Sequence, residues 1–535
     1  MRKSTYLQTL LLALVLLLGV LIRVGHFPNL PPGLNQDEAA NAYESYALAE
    51  TGLDKWGNVL PAYFPAWGSG QNVLLAYLMV PVVKIFGLSI FTARIVSLVF
   101  GLLTLPLFFY CLRPVGRFPA LLATLLLSVV PWHFMLSHWA LESNLAPFFM
   151  LLGCTTLSQA LLTQRRRWIV PALLPFALSL YAYGTTAIVL PLLWGIVLAL
   201  NFQLIRLHWR SWLLALGLFL VVATPFLLFF IENYVVGHNF AWTDSLFFTT
   251  PLLSATRVAQ LTTPNWPEMV GRNWSFAVSG FDDKSNYNLL PGYKPLLSPT
   301  VPLAVVGLLI GGWKLLRRRG QLISSPASTV LGIFAAWGIA AFSLLFLFEL
   351  NTNRLNHAYL PCIVLAAWTI ALTITSFKPE VPQQALRLGA MAWLLLEGGQ
   401  AVHTYFTEYA DGPIRAEFND GMDEAFAVTK NLWGIDQVRI TNQVALPYVY
   451  ALFYLQYPPA QFQREVQMSI ADDGTYRVAR FGRYVFSDAE LPLGQAYGYL
   501  SRRNEFDDNA TRHREILFTN EAWEVGIMRL TPKAK

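Results

Sequence analysis

A polytopic α-helical membrane protein carrying a small α/β domain outside the bilayer is the fold class predicted here, and three observations predict it. Of the 535 residues, 55% are hydrophobic, 14% aromatic and only 13% charged, and the mean hydropathy is +0.44, too oily for a soluble chain. Apolar stretches of about 20 residues, long enough to cross a bilayer as a helix, recur as far as Gln400. From His403 onward the composition becomes that of a soluble domain.

The stretches lie near 6–25, 92–112, 118–136, 146–163, 168–185, 186–205, 211–231, 300–316, 328–348, 358–376 and 386–402, about eleven spans in all. Arg2 and Lys3 before Leu10–Ile22 imitate a secretory signal. No small-residue cleavage site follows, so this reads as an uncleaved first span. With the N-terminus cytoplasmic, five basic groups fall inside: Arg113 with Arg117; Arg165, Arg166 and Arg167; Arg206 with Arg210; Lys314 with Arg317, Arg318 and Arg319; and Lys378. The formal charge of +6 is thus a matter of topology and gives no reason to expect nucleic acid. The three cysteines, Cys111, Cys154 and Cys362, lie in or beside apolar stretches without metal-ligand spacing and read as buried free thiols.

The opposite face receives the long loops 25–91 and 232–299, short connections around Ser137–Asn144, Tyr181–Thr185 and Glu349–Ala358, and the tail. Long insertions on one face mark it as the working face. The domain division expected is therefore a transmembrane domain over 1–402 and an extracytoplasmic α/β domain over 403–535. In the tail, 423–433 and 445–455 read as helices; 437–441, YRVARFGRYVF and EAWEVGIMRL read as strands. It has no phosphate loop, zinc spacing or hydrolase elbow, and no nucleotide cofactor is expected. Sequons at Asn273 and Asn509 fall on the outer face.

Within the first loop, Asn35 and Glu38 match a capping box. Ala39, Ala42, Tyr43, Tyr46 and Ala47 then follow the spacing of a helix lying on an apolar surface, with Asp37, Asn41 and Glu44 on its polar face. The apolar run Val73–Phe86, interrupted by Pro81 and Lys84, suits a helix in the interface.

Acids near a bilayer are expensive and are the informative residues. Asp37 and Glu38, with Glu142, are the catalytic candidates, against which stand a cap role for Glu38 and a helix-dipole role for Asp37. A carboxylate beside a low-dielectric phase can equally be tuned into a general base. Glu142, in SHWALESNLAPFF, is expected to share a site with Asp37. His138, four residues earlier, falls on the same helical face if the segment is helical, in a structural hydrogen bond or as a metal ligand. Asp37 and Glu142, with His138, are the candidate ligands for a divalent ion such as Mg, Mn or Zn. Arg94 and Arg354, with Asn353 beside it, are either snorkelling cations or a phosphate site. Trp67, Trp139 and Tyr183 are candidates for stacking on a sugar, or members of an aromatic belt.

The segments NQDEAANAYESYALAETGLDKWGNVLP, FGLSIFTARIVSLVFG, SHWALESNLAPFFMLLG and SLYAYGTTAIVLPLL resemble the C-type polyprenyl-phosphate-sugar glycosyltransferases. The branch is that of bacterial relatives of the protein O-mannosyltransferases and the lipid A aminoarabinose transferase. NLLPGYKPLLSPTVPLAVVGLL and NTNRLNHAYLP extend the resemblance more weakly. It implies an inverting transferase in a bacterial plasma membrane that takes sugar from an undecaprenyl- or dolichyl-type monophosphate at the extracytoplasmic face. It further implies Asp37 as the essential acid, Glu142 as the second acid, and Arg94 and Arg354 near the carrier phosphate. Many relatives carry a lysine followed by prolines where this chain has Gly70, Gln71 and Asn72. Ala40 and His138 stand where basic residues are common.

Two other classes stay open. A flippase or transporter of a lipid-linked or anionic substrate would more naturally show inverted repeats or broken midplane helices, whereas here the charges gather at one surface. A glycan ligase using a lipid-diphosphate donor is chemically close.

Overall fold

The computed structural model describes residues 2–66, 70–236, 240, 265–317, 325–378, 380–470, 476–486, 495–506 and 512–530. Among them, seven helices are long and apolar enough to cross a membrane: Tyr6–Val24, Ile90–Leu112, Glu142–Thr163, Thr186–Leu207, Trp209–Ile231, Pro326–Phe346 and Asn356–Ser376. Leu74–Phe86, Arg117–Val129 and Thr300–Lys314 are apolar but shorter. The chain is an integral membrane protein, and among the described residues fewer helices meet the full spanning length than its hydropathy suggested.

Prolines account for two of the differences. The stretch 118–136 is two helices, Arg117–Val129 and Pro131–Leu136, because the residue before a proline is driven out of the helical region; Val130 is extended at φ −72° and ψ 131°. The stretch 168–185, with Pro171 and Pro175, forms only the short helices Arg166–Ile169 and Leu174–Leu180. The break at Pro131 strands two carbonyls. Pro131 has no N–H for Leu127, and the Trp132 amide, next in line for Ser128, is spent on Pro295 O. Arg23, fully buried, donates to both carbonyls at 3.0 Å, to Gly19 O, and to Nδ1 of His133. A broken helix in an apolar medium is tolerated only when a neighbour repairs its backbone in this way.

The chain forms two compact units. One comprises Met1–Phe27, Ser97–Leu228 and Arg257–Tyr409. At its centre the helix Asn356–Ser376, buried along most of its length, packs against Thr300–Arg317, Pro326–Phe342 and Arg117–Val129. The Asn273 sequon lies here, in the helix Trp266–Val278. Its side chain is buried, donating to Leu345 O and Phe348 O and accepting from the Leu350 amide, so it is a staple rather than an exposed acceptor. Asn509 lies outside the described residues.

The other unit comprises Pro28–Val96, Phe229–Thr256 and Ala410–Lys535. The tail thus does not stand apart from the first loop, as the expected division at 402 had it. Its seven-stranded sheet runs, in spatial order, Gln467–Ile470, Tyr476–Phe481, Tyr484–Val485, Val438–Ile440, Ala496–Arg502, Trp523–Leu530 and Arg512–Thr519. Val438–Ile440 pairs parallel with both neighbours and the remaining pairs are antiparallel. Helix Met422–Lys430 lies on the sheet, Pro447–Leu455 packs on that helix, Gln36–Thr51 on Pro447–Leu455, and Leu74–Phe86 on Gln36–Thr51.

Candidate functional site

The helix Gln36–Thr51 begins as its capping box dictates. The Asn35 side chain accepts from the Asp37 amide at 2.8 Å, and the Glu38 carboxylate accepts from the Asn35 amide at 3.2 Å. Most of the helix is buried, which corrects the picture of one face on an apolar surface and the other in water. Tyr43 donates to Tyr457 O at 2.7 Å and packs edge-on to Phe462. Glu44, assigned to a wet face, is fully buried against Lys55.

Glu38 has a second partner 56 residues away. Arg94 Nε and Nη2 each donate to its carboxylate at 2.8 Å, and both side chains are fully buried. The other three Arg94 N–H groups go to the carbonyls of Pro28, Pro31 and Gly33 at 2.7–2.8 Å. That segment, PNLPPG, is poor in N–H groups of its own, so its carbonyls need a side-chain donor. Gly33 is obligatory there: φ is +78°, and a Cβ would lie 2.2 Å from Phe418 O. With five N–H groups committed, Arg94 has none for a carrier phosphate, and Glu38, doubly bound, is not placed as a base. Both expectations are corrected: the pair is a clamp on the entry to the helix.

Asp37 is turned elsewhere. It is half-buried, and its Oδ1 accepts from Gln71 Nε2 at 3.2 Å. Gln71 is delivered by a two-residue ladder, Phe64 opposite Gln71 and Tyr63 opposite Asn72. Asn41, one turn on, donates to Asp37 O at 3.0 Å. The amide oxygens of Asn41 and Gln71 are buried without a hydrogen-bond partner among the described residues. Leaving such an oxygen unpaired costs about 1–3 kcal/mol. The sequence signal for Gln71 was its departure from the family pattern. Asn41 was visible on the Asp37 face.

Behind the helix, the Asp54 carboxylate accepts from the amides of Trp56 and Asn58 at 2.9 and 2.8 Å and from Asn58 Nδ2 at 2.8 Å. Burial, with the Glu44 charge, nevertheless pushes it up to about 7, the Asn58 bonds and Lys55 opposing. Burial alone would lower the Lys55 ammonium, but the Glu44 carboxylate holds it above its ordinary value. Spacing along the chain carried no signal for this pair.

The remaining candidates lie in the first unit, except Trp67, which lies outside the described residues. His138 and Glu142 do not share a helical face. The helix stops at Leu136, and Glu142 opens a separate 3₁₀ turn, Glu142–Leu145, leading into Ala146–Thr163. Glu142 is 6% exposed. His138 sets Nδ1 2.9 Å from Phe134 O and Nε2 3.1 Å from Gly25 O, so both ring nitrogens face backbone carbonyls. Among the described residues no three His, Cys, Asp or Glu side chains gather as a metal set. Trp139 is buried and stacked on Tyr287, centroids 6.2 Å apart. Together with Asn144, Asn353 and Asn356 these rings line a void of about 10 Å³, room for one water. Arg354 is half-buried, with Nη1 on Glu349 O at 2.5 Å. Tyr183 is buried in the turn before Thr186–Leu207.

The fold, apolar helices with a C-terminal sheet, is shared with a solved structure. Among solved structures, ArnT from Cupriavidus metallidurans in the apo state matches with a TM-score of 0.54 and 16% identity over 98% of each chain. The apo oligosaccharyltransferase of Archaeoglobus fulgidus matches at 0.48 and 16% identity, covering 84% of this chain and 64% of that one. The AglB oligosaccharyltransferase of the same organism, in complex with an inhibitory peptide and a dolichol-phosphate, matches at 0.49 and 14%, covering 92% and 75%. This chain thus spans just under two thirds of the first oligosaccharyltransferase structure. No protein-family model matches the sequence, and no curated protein matches it.

Proposed function

We propose that this protein is an inverting glycosyltransferase that moves a sugar from a polyprenyl-monophosphate carrier to an acceptor on the extracytoplasmic face of a bacterial plasma membrane. The observation that carries the reading is the Asp37 carboxylate, half-buried beside two amide oxygens that have no partner among the described residues, on a helix whose entry is clamped by Glu38 and Arg94. Asp37 takes the proton of the acceptor hydroxyl, the acceptor oxygen forms a bond to the sugar C1, and the bond from C1 to the carrier phosphate breaks on the opposite side. The carrier leaves as polyprenyl phosphate. Asn41 and Gln71 receive hydroxyl protons of the sugar or acceptor and orient them.

The ArnT-like fold supports the class of reaction, and the acidic helix start supports the base. Glu142 as second acid, and Arg354 with Asn353 as the phosphate cation and its neighbour, rest on the sequence argument. Both ring nitrogens of His138 face backbone carbonyls, and no step here is routed through a divalent ion. Membrane lipids are the carrier's solvent, so only the phosphosugar enters water. Purified protein incubated with polyprenyl-monophosphate sugars of different identity, read by mass analysis of the carrier and of candidate protein, lipid and polysaccharide acceptors, tests the reading. Release of free polyprenyl phosphate in step with a glycosylated acceptor supports it. Transmembrane movement of an intact lipid-linked sugar without bond cleavage would favour the transporter, and use of a diphosphate carrier alone would favour the ligase.

A further inference from the structure

One cavity bears no relation to the acids. It is a groove of about 410 Å³ in the first unit, between the helices Thr186–Leu207, Thr300–Arg317, Pro326–Phe342 and Asn356–Ser376. Its polar side chains gather at one end, where Lys314, Ser325 and Ser328 lie, and the walls beyond, as far as Ile339, are apolar. Ser325 to Ile339 covers about 21 Å of helix, more than the roughly 15 Å of one leaflet's hydrocarbon. Three glycines thin one wall. Gly307 serves packing, since a Cβ there would lie 2.5 Å from Thr369 Oγ1. A Cβ on Gly311 would just reach Trp368, at 4.0 Å, and one on Gly312 would meet nothing. Close packing therefore does not account for Gly312, which leaves the groove open. The Lys314 ammonium sits over the Trp368 ring, 5.3 Å from its centroid, on an exposed side chain at the mouth. The start of the helix Pro326–Phe342 adds partial positive charge at the same end.

We infer that this groove holds an acyl chain of an acidic phospholipid, whose phosphate headgroup meets Lys314 beside the capped helix start at Ser325. One end of the site is cationic and hydroxylated and the rest is apolar, which is the polarity of a single lipid molecule lying along the helices. The Lys314 end belongs to a basic connection, so the lipid comes from the leaflet on the positive-inside side.

Native mass spectrometry of the purified full-length protein, incubated with phosphatidylglycerol or phosphatidylcholine of identical chains, tests this. Phosphatidylglycerol is expected to form a one-to-one adduct about fivefold more abundant, the equivalent of about 1 kcal/mol for one lysine contact. Lys314→Gln should bring the two lipids to equal abundance, and Gly312→Leu should remove most of both adducts with an unchanged melting temperature. Equal binding of the two lipids by the unsubstituted protein would overturn the proposal. So would full adduct in Gly312→Leu, one-for-one displacement by undecaprenyl phosphate, or a second protein copy in place of the lipid.

Discussion

Asp37 and Glu38 are neighbours in sequence with opposite employments. Glu38 is consumed by Asn35 and Arg94, whereas Asp37 keeps carboxylate surface and stands beside amide oxygens that have no partner among the described residues. The local half of this was readable, because a capping box is set by a spacing of three residues. The other half was not, because the partner lies 56 positions away and a lone arginine at the start of a span looks the same whether it awaits a phosphate or a buried carboxylate. Arg94→Met is expected to lower stability by about 3–5 kcal/mol, the cost of stranding a buried carboxylate, seen as a large fall in melting temperature. The fraction that folds should keep its KM for donor, and a raised KM with unchanged melting would restore Arg94 to the phosphate. Arg354→Ala should weaken donor affinity at unchanged melting temperature in a carrier titration; unchanged affinity would remove Arg354 from the site.

Among the elements, the helix Gln36–Thr51 was visible from its periodicity, but its environment was not. Alanines and tyrosines at helical spacing look alike on a membrane surface and between packed helices; the buried ion pair Glu44–Lys55 and the Tyr43 contacts reveal the second. The Asp54 turn behind it gives the element a pH dependence. Its carboxyl is raised from 3.8 to about 7, so the folded state holds a proton that the unfolded state has lost, and stability falls as pH rises through that window. Thermal melts should therefore show a decline between pH 5 and 7.5, and Asp54→Asn should flatten it; equal slopes would place the dependence elsewhere. The broken span at Pro131 teaches the same lesson: hydropathy sees an unbroken apolar run, while a proline and its predecessor set the geometry. Asn273 is a sequon by pattern and a staple by structure. Asn273→Ala should lower the melting temperature by the equivalent of about 1–3 kcal/mol, because it leaves two carbonyls and an amide unpaired.

For the whole molecule, apolar runs of spanning length made the class legible, since burying that much apolar side chain requires either a bilayer or a very large core. The C-terminal sheet was legible in part: 437–441, YRVARFGRYVF and EAWEVGIMRL hold strands as read, whereas Gln467–Ile470, Ala496–Arg502 and Arg512–Thr519 were not read as strands. The grouping of Pro28–Val96 with Ala410–Lys535 was not, because it depends on contacts such as Tyr43 to Tyr457 that join residues 414 positions apart. The central claim is that this membrane scaffold uses Asp37 to transfer a sugar from a polyprenyl-monophosphate carrier. The most direct measurement is the rate of sugar transfer from such a donor by purified Asp37→Asn, beside the unsubstituted protein, with carrier binding and melting temperature recorded on the same samples. The account predicts a loss of about 10²- to 10⁴-fold in rate, the usual worth of a general base, with binding and melting retained. Transfer at the full rate by Asp37→Asn would contradict it.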